Sequence, residues 1–180
     1  MFLIFTQVIL IVISTLIVIS LLHFLFTGNT PSITSPTSSR KYLLENIGLD
    51  EKSVFYDLGC GNSKLLVDLS RNNPTARYVG ADSSLVSYIE SKLNVLLSKS
   101  KNISIKFSDF FNLDLSSATH IYLWIYVKDM DKLLKKFEKE LQGGTLVYSL
   151  DFPFTSKEPT ETIDLGKENK FGHTLYIYRF

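Results

Sequence analysis

The sequence predicts an open α/β fold with a mostly parallel sheet, carried behind one apolar helix. Three runs predict it. Val54-Phe55-Tyr56-Asp57-Leu58-Gly59-Cys60-Gly61 is a short apolar stretch that stops on an acid and enters a glycine turn. Ala76-Arg77-Tyr78-Val79-Gly80-Ala81 ends at Asp82, the spacing at which a second acid falls in such units. Ile103-Ser104-Ile105-Lys106-Phe107 ends at Ser108-Asp109-Phe110-Phe111. Strands that each end on an acid place three carboxylates along one rim of a parallel sheet, where open α/β folds bind ligands.

In chain order, the apolar helix comes first. All nineteen basic and eighteen acidic residues lie at or beyond Arg40. Phe2 to Phe26 is apolar, with only scattered polar residues such as Gln7 and His23, and as a helix it would span roughly 37 Å. It reads as a transmembrane helix. The competing reading is a cleaved signal peptide, against which stand the run's length, the lack of Lys or Arg before it and the lack of a small-x-small cleavage site after it. Arg40, Lys41 and Lys52 flank its C-terminal side, so the positive-inside bias predicts a cytoplasmic domain. Residues 1–26 are thus the expected span, 27–39 a Ser/Thr/Pro-rich tether and 40–180 the folded domain.

Within that domain a first helix is expected over Ser63–Arg71, with Leu65, Leu66 and Leu69 facing the sheet, broken by Asn72-Asn73-Pro74. Ser83 or Ser84 caps the next, in which Leu85, Ile89, Leu93 and Leu96 or Leu97 recur at helical spacing and are expected in the core. His120–Val127 reads as a central strand covered on both faces. Asp129–Leu141 reads as a helix with Leu133, Leu134, Phe137 and Leu141 inward and Lys132, Lys135, Lys136 and Lys139 outward. Gly143-Gly144 turns into a strand over Thr145–Leu150. A closing hairpin, Glu161–Leu165 and His173–Arg179, is expected to lay its second arm antiparallel at the sheet edge.

The glycine turn carries the chemistry. Gly59 and Gly61 let a ligand lie against the main chain, and the following helix offers free N–H groups. Asp57 would repel a pyrophosphate but suits a cationic, donor-rich ligand such as the amino-acid end of S-adenosylmethionine. Lys64 stands where a dinucleotide fingerprint wants a third glycine. A tight strand-to-helix turn with no ligand is the alternative, and the second and third acids weigh against it. One cysteine, Cys60, excludes an internal disulfide; His23, His120 and His173 have no ligand spacing, so neither a metal site nor a Ser-His-Asp triad is suggested. A net charge of +1 and the lack of an Asn-Pro-Pro-Tyr motif argue against a nucleic-acid methyltransferase.

The order DLGCG, GAD, SDFFNLDL, an apolar strand, then KLLKKFEKELQGGTLVYSLDFPF resembles a compact, Rossmann-like class I S-adenosylmethionine-dependent methyltransferase. More narrowly, it resembles the group containing the mitochondrial lysine methyltransferases of ATP synthase subunit c and the adenine nucleotide translocase, with their prokaryotic relatives. The resemblance runs from about Pro36 to Phe180, and Asp109-Phe110-Phe111 with Asp151-Phe152-Pro153-Phe154 points to the subgroup. It implies that Asp57, Gly59, Cys60, Gly61 and Asn62 hold the methionine part of the donor, Asp82 with Ser83 the ribose, and Ser108, Asp109 and Phe110 the adenine. Trp124, Tyr126, Phe152 and Phe154, after the fourth and fifth strands, are expected to line an acceptor channel, the alternative for each being an ordinary sheet or core aromatic; Asp151 is the best-placed candidate base, and the resemblance implies a leading helix near the donor pocket. Departures stand beside this: Asn62-Ser63-Lys64 replaces the usual Asp-Gly-Arg, Thr119 replaces an acid, and Trp124 replaces a tyrosine. The expected function is a membrane-anchored N-methyltransferase acting on a lysine of a membrane-associated protein, with no nucleic acid and no metal involved. The alternatives are a small-molecule or lipid methyltransferase and a non-catalytic donor-binding domain.

Overall fold

The computed structural model describes residues 2–27, 34–166 and 172–180. Residues 28–33 of the expected tether, and the side chain of His23, lie outside what is described. Helix α1, Phe2–Thr27, comes first, and none of its apolar window Ile4–Leu22 is buried. Helix α2 begins at Thr37 and ends at Asn46, so the last residues of the expected 27–39 tether are helical.

Five parallel strands follow: β1 Val54–Leu58, β2 Arg77–Asp82, β3 Ile103–Phe107, β4 His120–Leu123 and β5 Leu146–Leu150. The hairpin β6 Glu161–Asp164 and β7 Thr174–Arg179 completes a seven-stranded sheet in the order β3-β2-β1-β4-β5-β7-β6. Its second arm pairs antiparallel with β5, and β6, not β7, is the outermost strand. The crossover helices are α3 Lys64–Asn72, α4 Leu85–Ser98 and α5 Val127–Glu140. One face of the sheet packs on α2 and α3 through Leu43, Leu65, Leu66 and Leu69; the other packs on α5 through Met130, Leu133, Leu134 and Phe137.

Four expectations are corrected. Strand β4 stops at Leu123, short of Val127, because its partner β1 ends at Leu58, opposite Leu123, and leaves the sheet at Gly59. Trp124–Tyr126 is therefore a rim loop. In α4 the leucines do not enter the core: Leu93, Leu96 and Leu97 are 54%, 73% and 77% exposed, while Ser87 and Ser91 are buried. Lys136 does not point outward but is folded onto Glu140 at 2.6 Å, with its side chain 12% exposed. Phe154 does not line a channel, being buried edge-on to Phe137 and Tyr178.

Candidate functional site

Asp57 is the penultimate residue of β1, between Gly80 of β2 and Tyr122 of β4. Its carboxyl is buried, and that burial, with Asp82 as the lesser cause, pushes its pKa up to about 8. Nothing among the described residues pulls it back down. A buried acid beside a second acid is poised to take a cationic ligand.

The glycine loop is fastened to β2 and α4. The N–H groups of Gly59 and Cys60 both donate to the Ala81 carbonyl, at 2.8 and 3.0 Å. The Gly61 N–H donates to Asp82 Oδ2 at 3.0 Å and the Ser84 N–H to Asp82 Oδ1 at 2.8 Å, so one carboxylate holds the loop and the start of α4 together. Gly59 and Gly61 have φ of 81° and 53°, which suits residues without a Cβ. Ser63 has φ 58° as well, at the position where the resemblance implied glycine. Its strain is offset by its hydroxyl, which donates to Ser91 Oγ at 3.0 Å, and by the Ser91 hydroxyl, which donates to the Gly61 carbonyl. Asn62 Oδ1 takes the capping role for α3, accepting from the Lys64 N–H at 3.1 Å.

Ser91 and Asn94 were not singled out from the sequence. Asn94 Nδ2 donates to the Asn62 carbonyl at 2.9 Å, so both residues brace the loop from α4. The available signal was the recurrence of Ser84, Ser87, Ser91 and Asn94 at helical spacing. Gly80 completes the fit: a Cβ there would lie 2.7 Å from Leu66 Cδ1 and 2.8 Å from Cys60 Sγ. Cys60 is packed in this contact, its thiol pushed up to about 12 chiefly by burial. That makes it a small core residue rather than a nucleophile.

The third acid sits where expected. The Ser108 N–H donates to the Asp82 carbonyl at 3.1 Å, and Asp109 Oδ1 accepts from the Phe111 N–H at 2.9 Å, which sets a single 3-10 turn, Phe110–Asn112. Ser83 follows Asp82, partly buried. The segment before α2 lies against the loop: Asn62 Nδ2 donates to Thr34 Oγ1 at 3.0 Å, and the Tyr122 hydroxyl donates to Ser35 Oγ at 3.1 Å. Arg40 then ties α2 to Asp68 of α3 at 3.1 Å.

On the far side of the rim, Trp124 Nε1 donates to Asp151 Oδ2 at 3.2 Å. Asp151, with φ 63°, also accepts from the Gly172 and His173 N–H groups, each at 2.8 Å. Both its oxygens are engaged. A Cβ on Gly172 would run into Pro36, so the leading segment, this turn and Asp151 interlock. Tyr126 stands 54% exposed at the start of α5.

The rim thus brings Asp57, Asp82 and Asp109 to the carboxyl ends of three adjacent strands. A sulfonium compound with an ammonium group fits a buried acid of this kind, and the glycine loop leaves main chain accessible to it. Residues 57–161 match the model of the ANTKMT methyltransferase domain. A protein-lysine N-methyltransferase of Saccharolobus islandicus (strain REY15A) is 27% identical over 158 residues, covering 85% of this chain and 95% of that protein. Among solved structures, an RNA methyltransferase from Salinibacter ruber in complex with S-adenosyl-L-homocysteine is similar at TM-score 0.73 and 26% identity, over 82% of this chain and 93% of that one. PKMT2 from Rickettsia typhi shares the fold at TM-score 0.53 and 21% identity, over 66% of this chain and 26% of that one. Fold, rim and matched residues agree: the chain belongs to the ANTKMT methyltransferase domain family and is an S-adenosylmethionine-dependent methyltransferase.

Proposed function

We propose that the protein is a membrane-anchored methyltransferase that modifies a lysine side chain of a membrane-associated protein. The observation that carries this is the joining, in one chain, of the acidic donor rim to an apolar helix whose Ile4–Leu22 window is unburied. The similarity to a protein-lysine N-methyltransferase over nearly that protein's whole length supports the choice of acceptor. The hydroxyls of Ser14 and Thr15 donate back to the Ile11 carbonyl at 2.9 and 2.8 Å, so these polar groups are satisfied within the helix, as a bilayer requires. Residues 1–26 would span the membrane, and the domain, whose packed leading segment begins at Thr34 rather than Arg40, would face the cytoplasm, on the side of Arg40, Lys41 and Lys52.

In this reading Asp57 holds the donor's ammonium, and the backbone of Gly59, Cys60, Gly61 and Asn62 lies along its methionine part. Asp82 with Ser83 takes the ribose hydroxyls; Ser108, Asp109 and Phe110 take the adenine. When bound, S-adenosylmethionine supplies a methyl group on a sulfonium. The chain's own contribution is alignment and desolvation. Trp124 and Tyr126 attract the incoming ammonium and then exclude water from it, which favours the neutral amine. Asp151, with both oxygens engaged, positions Trp124 rather than serving as the base.

A nucleic-acid acceptor is the second reading, favoured by the Salinibacter ruber relative and opposed by a net charge of +1. The full chain, incubated in membranes with methyl-labelled donor, separates these. Label in acid-stable methyl-lysine of membrane proteins supports the proposal; label confined to RNA or to extracted lipid overturns it.

A further inference from the structure

Helix α4 packs Tyr88 and Val95 on the core together with buried serines and leaves three leucines exposed. Its polar residues Ser91 and Asn94 bond the glycine loop, with Ser87 buried on the same face, and the opposite face presents Ile89, Leu93, Leu96 and Leu97. Those positions fall at i, i+4, i+7 and i+8, one stripe of a helix. The last three are more than half exposed, and Phe107 of β3, 55% exposed, packs its ring beside Tyr88 of the same helix. Lys92, Lys99, Lys101 and Lys106 are exposed on and around this helix, and Glu90 is the exposed acid at the edge of the stripe. Next to Leu97, a depression of about 400 Å³ is lined by Arg71, Lys99 and Lys101 together with small polar residues. Helix α1 lies against this same helix.

We infer that the outward face of α4 is a second membrane contact, in which the leucines enter the interface of an anionic bilayer and Arg71, Lys99 and Lys101 take a lipid phosphate. Apolar side chains flanked by lysine are the combination that binds in the plane of such an interface. The occupant is the bilayer because α1, which lies against α4, is itself unburied and apolar over Ile4–Leu22 and would hold α4 close to the same membrane. The inference rests on the anchoring proposed above. Its consequence is orientation: an α4 lying along the membrane holds the donor rim edge-on to the surface, where an acceptor close to the lipid headgroups can reach it.

The test uses the full chain in nanodiscs of 70% phosphatidylcholine and 30% phosphatidylserine, labelled with an environment-sensitive fluorophore at Leu97→Cys, at Lys139→Cys on α5, or at Ile13→Cys in α1. Cys60 is buried and stays in place. Donor binding by each labelled chain establishes that it is folded. Blue-shifted emission and several-fold stronger quenching by spin-labelled lipid at residue 97 than at residue 139 is the expected result. Quenching at 13 without quenching at 97 overturns the docking face and leaves the anchor standing. Quenching at 97 but not at 13 keeps the face and overturns the anchor, and quenching at neither overturns both. Quenching at 97 that is unchanged in pure phosphatidylcholine overturns the headgroup role of the basic depression.

Discussion

Donor affinity should rise steeply with pH because of Asp57, and Asp57→Asn should abolish that rise. The carboxyl, held near pKa 8 by burial and by Asp82, is protonated at pH 6 and has to ionise to meet the donor's ammonium. Two units below its pKa only about 1% is ionised, and half is ionised at pH 8; because the donor's own α-amino group starts to lose its proton at the top of this range, affinity should grow by less than the full fifty-fold, roughly twenty-fold or more. S-adenosylhomocysteine keeps the ammonium and lacks the sulfonium, so it should show the same slope if the ammonium is the partner. The sign for stability runs the other way. A carboxyl raised in the folded state binds its proton more tightly than the unfolded chain does; the stability this contributes is complete below the ordinary carboxyl range and is lost as pH rises through about 8. Donor-induced thermal stabilisation should therefore grow over the interval in which the unliganded protein loses stability. Titration calorimetry at half-unit steps from pH 6 to 8 reads the affinity directly. A flat profile in the unmodified protein, or an Asp57→Asn variant that keeps the slope, would refute the reasoning.

Gly80→Ala should lower stability by about 1–3 kcal/mol in denaturant melts, since the new methyl meets Leu66, Cys60 and Ile105 in a packed contact. It should weaken donor binding with it, because Cys60 lies in the loop. Ser63→Ala keeps the φ of 58° and loses the hydroxyl, whereas Ser63→Gly loses the hydroxyl and relieves the backbone, so the glycine variant should be the more stable of the two by roughly 1 kcal/mol. Trp124→Phe removes the bond to Asp151 while leaving the three acids alone, and should reduce kcat several-fold with donor affinity unchanged; equal loss of both would place Trp124 in the donor site instead.

Much of the fold was legible because its signals are local. An apolar run, an acid and a glycine turn determine β1, the loop and the start of α3, and each register falls where the run ends: Leu58 opposite Ala81, Asp82 opposite Phe107. What was not legible depended on partners distant in sequence. Periodicity in α4 identifies two stripes, Ser84-Ser87-Ser91 and Ile89-Leu93-Leu96, but not which faces inward. The hydrogen-bonding demand of the Gly61 and Asn62 carbonyls brings the polar one in. The apolar run HIYLWIYV gave no sign that β4 loses its neighbour after Leu123. Asp151 follows β5 directly, but the donors that occupy it come from the Gly172 turn, which no spacing ties to it.

The acidic rim is the proposed donor site, and Asp82 tests it most directly, since that carboxylate holds both Gly61 and Ser84. The direct measurement is calorimetric binding of S-adenosylmethionine to the full chain in detergent, beside Asp82→Ala, with circular dichroism to establish that both are folded. One site in the parent protein and a loss of at least a hundred-fold in the variant is the predicted result. A folded Asp82→Ala protein that binds the donor as tightly as the parent would contradict it.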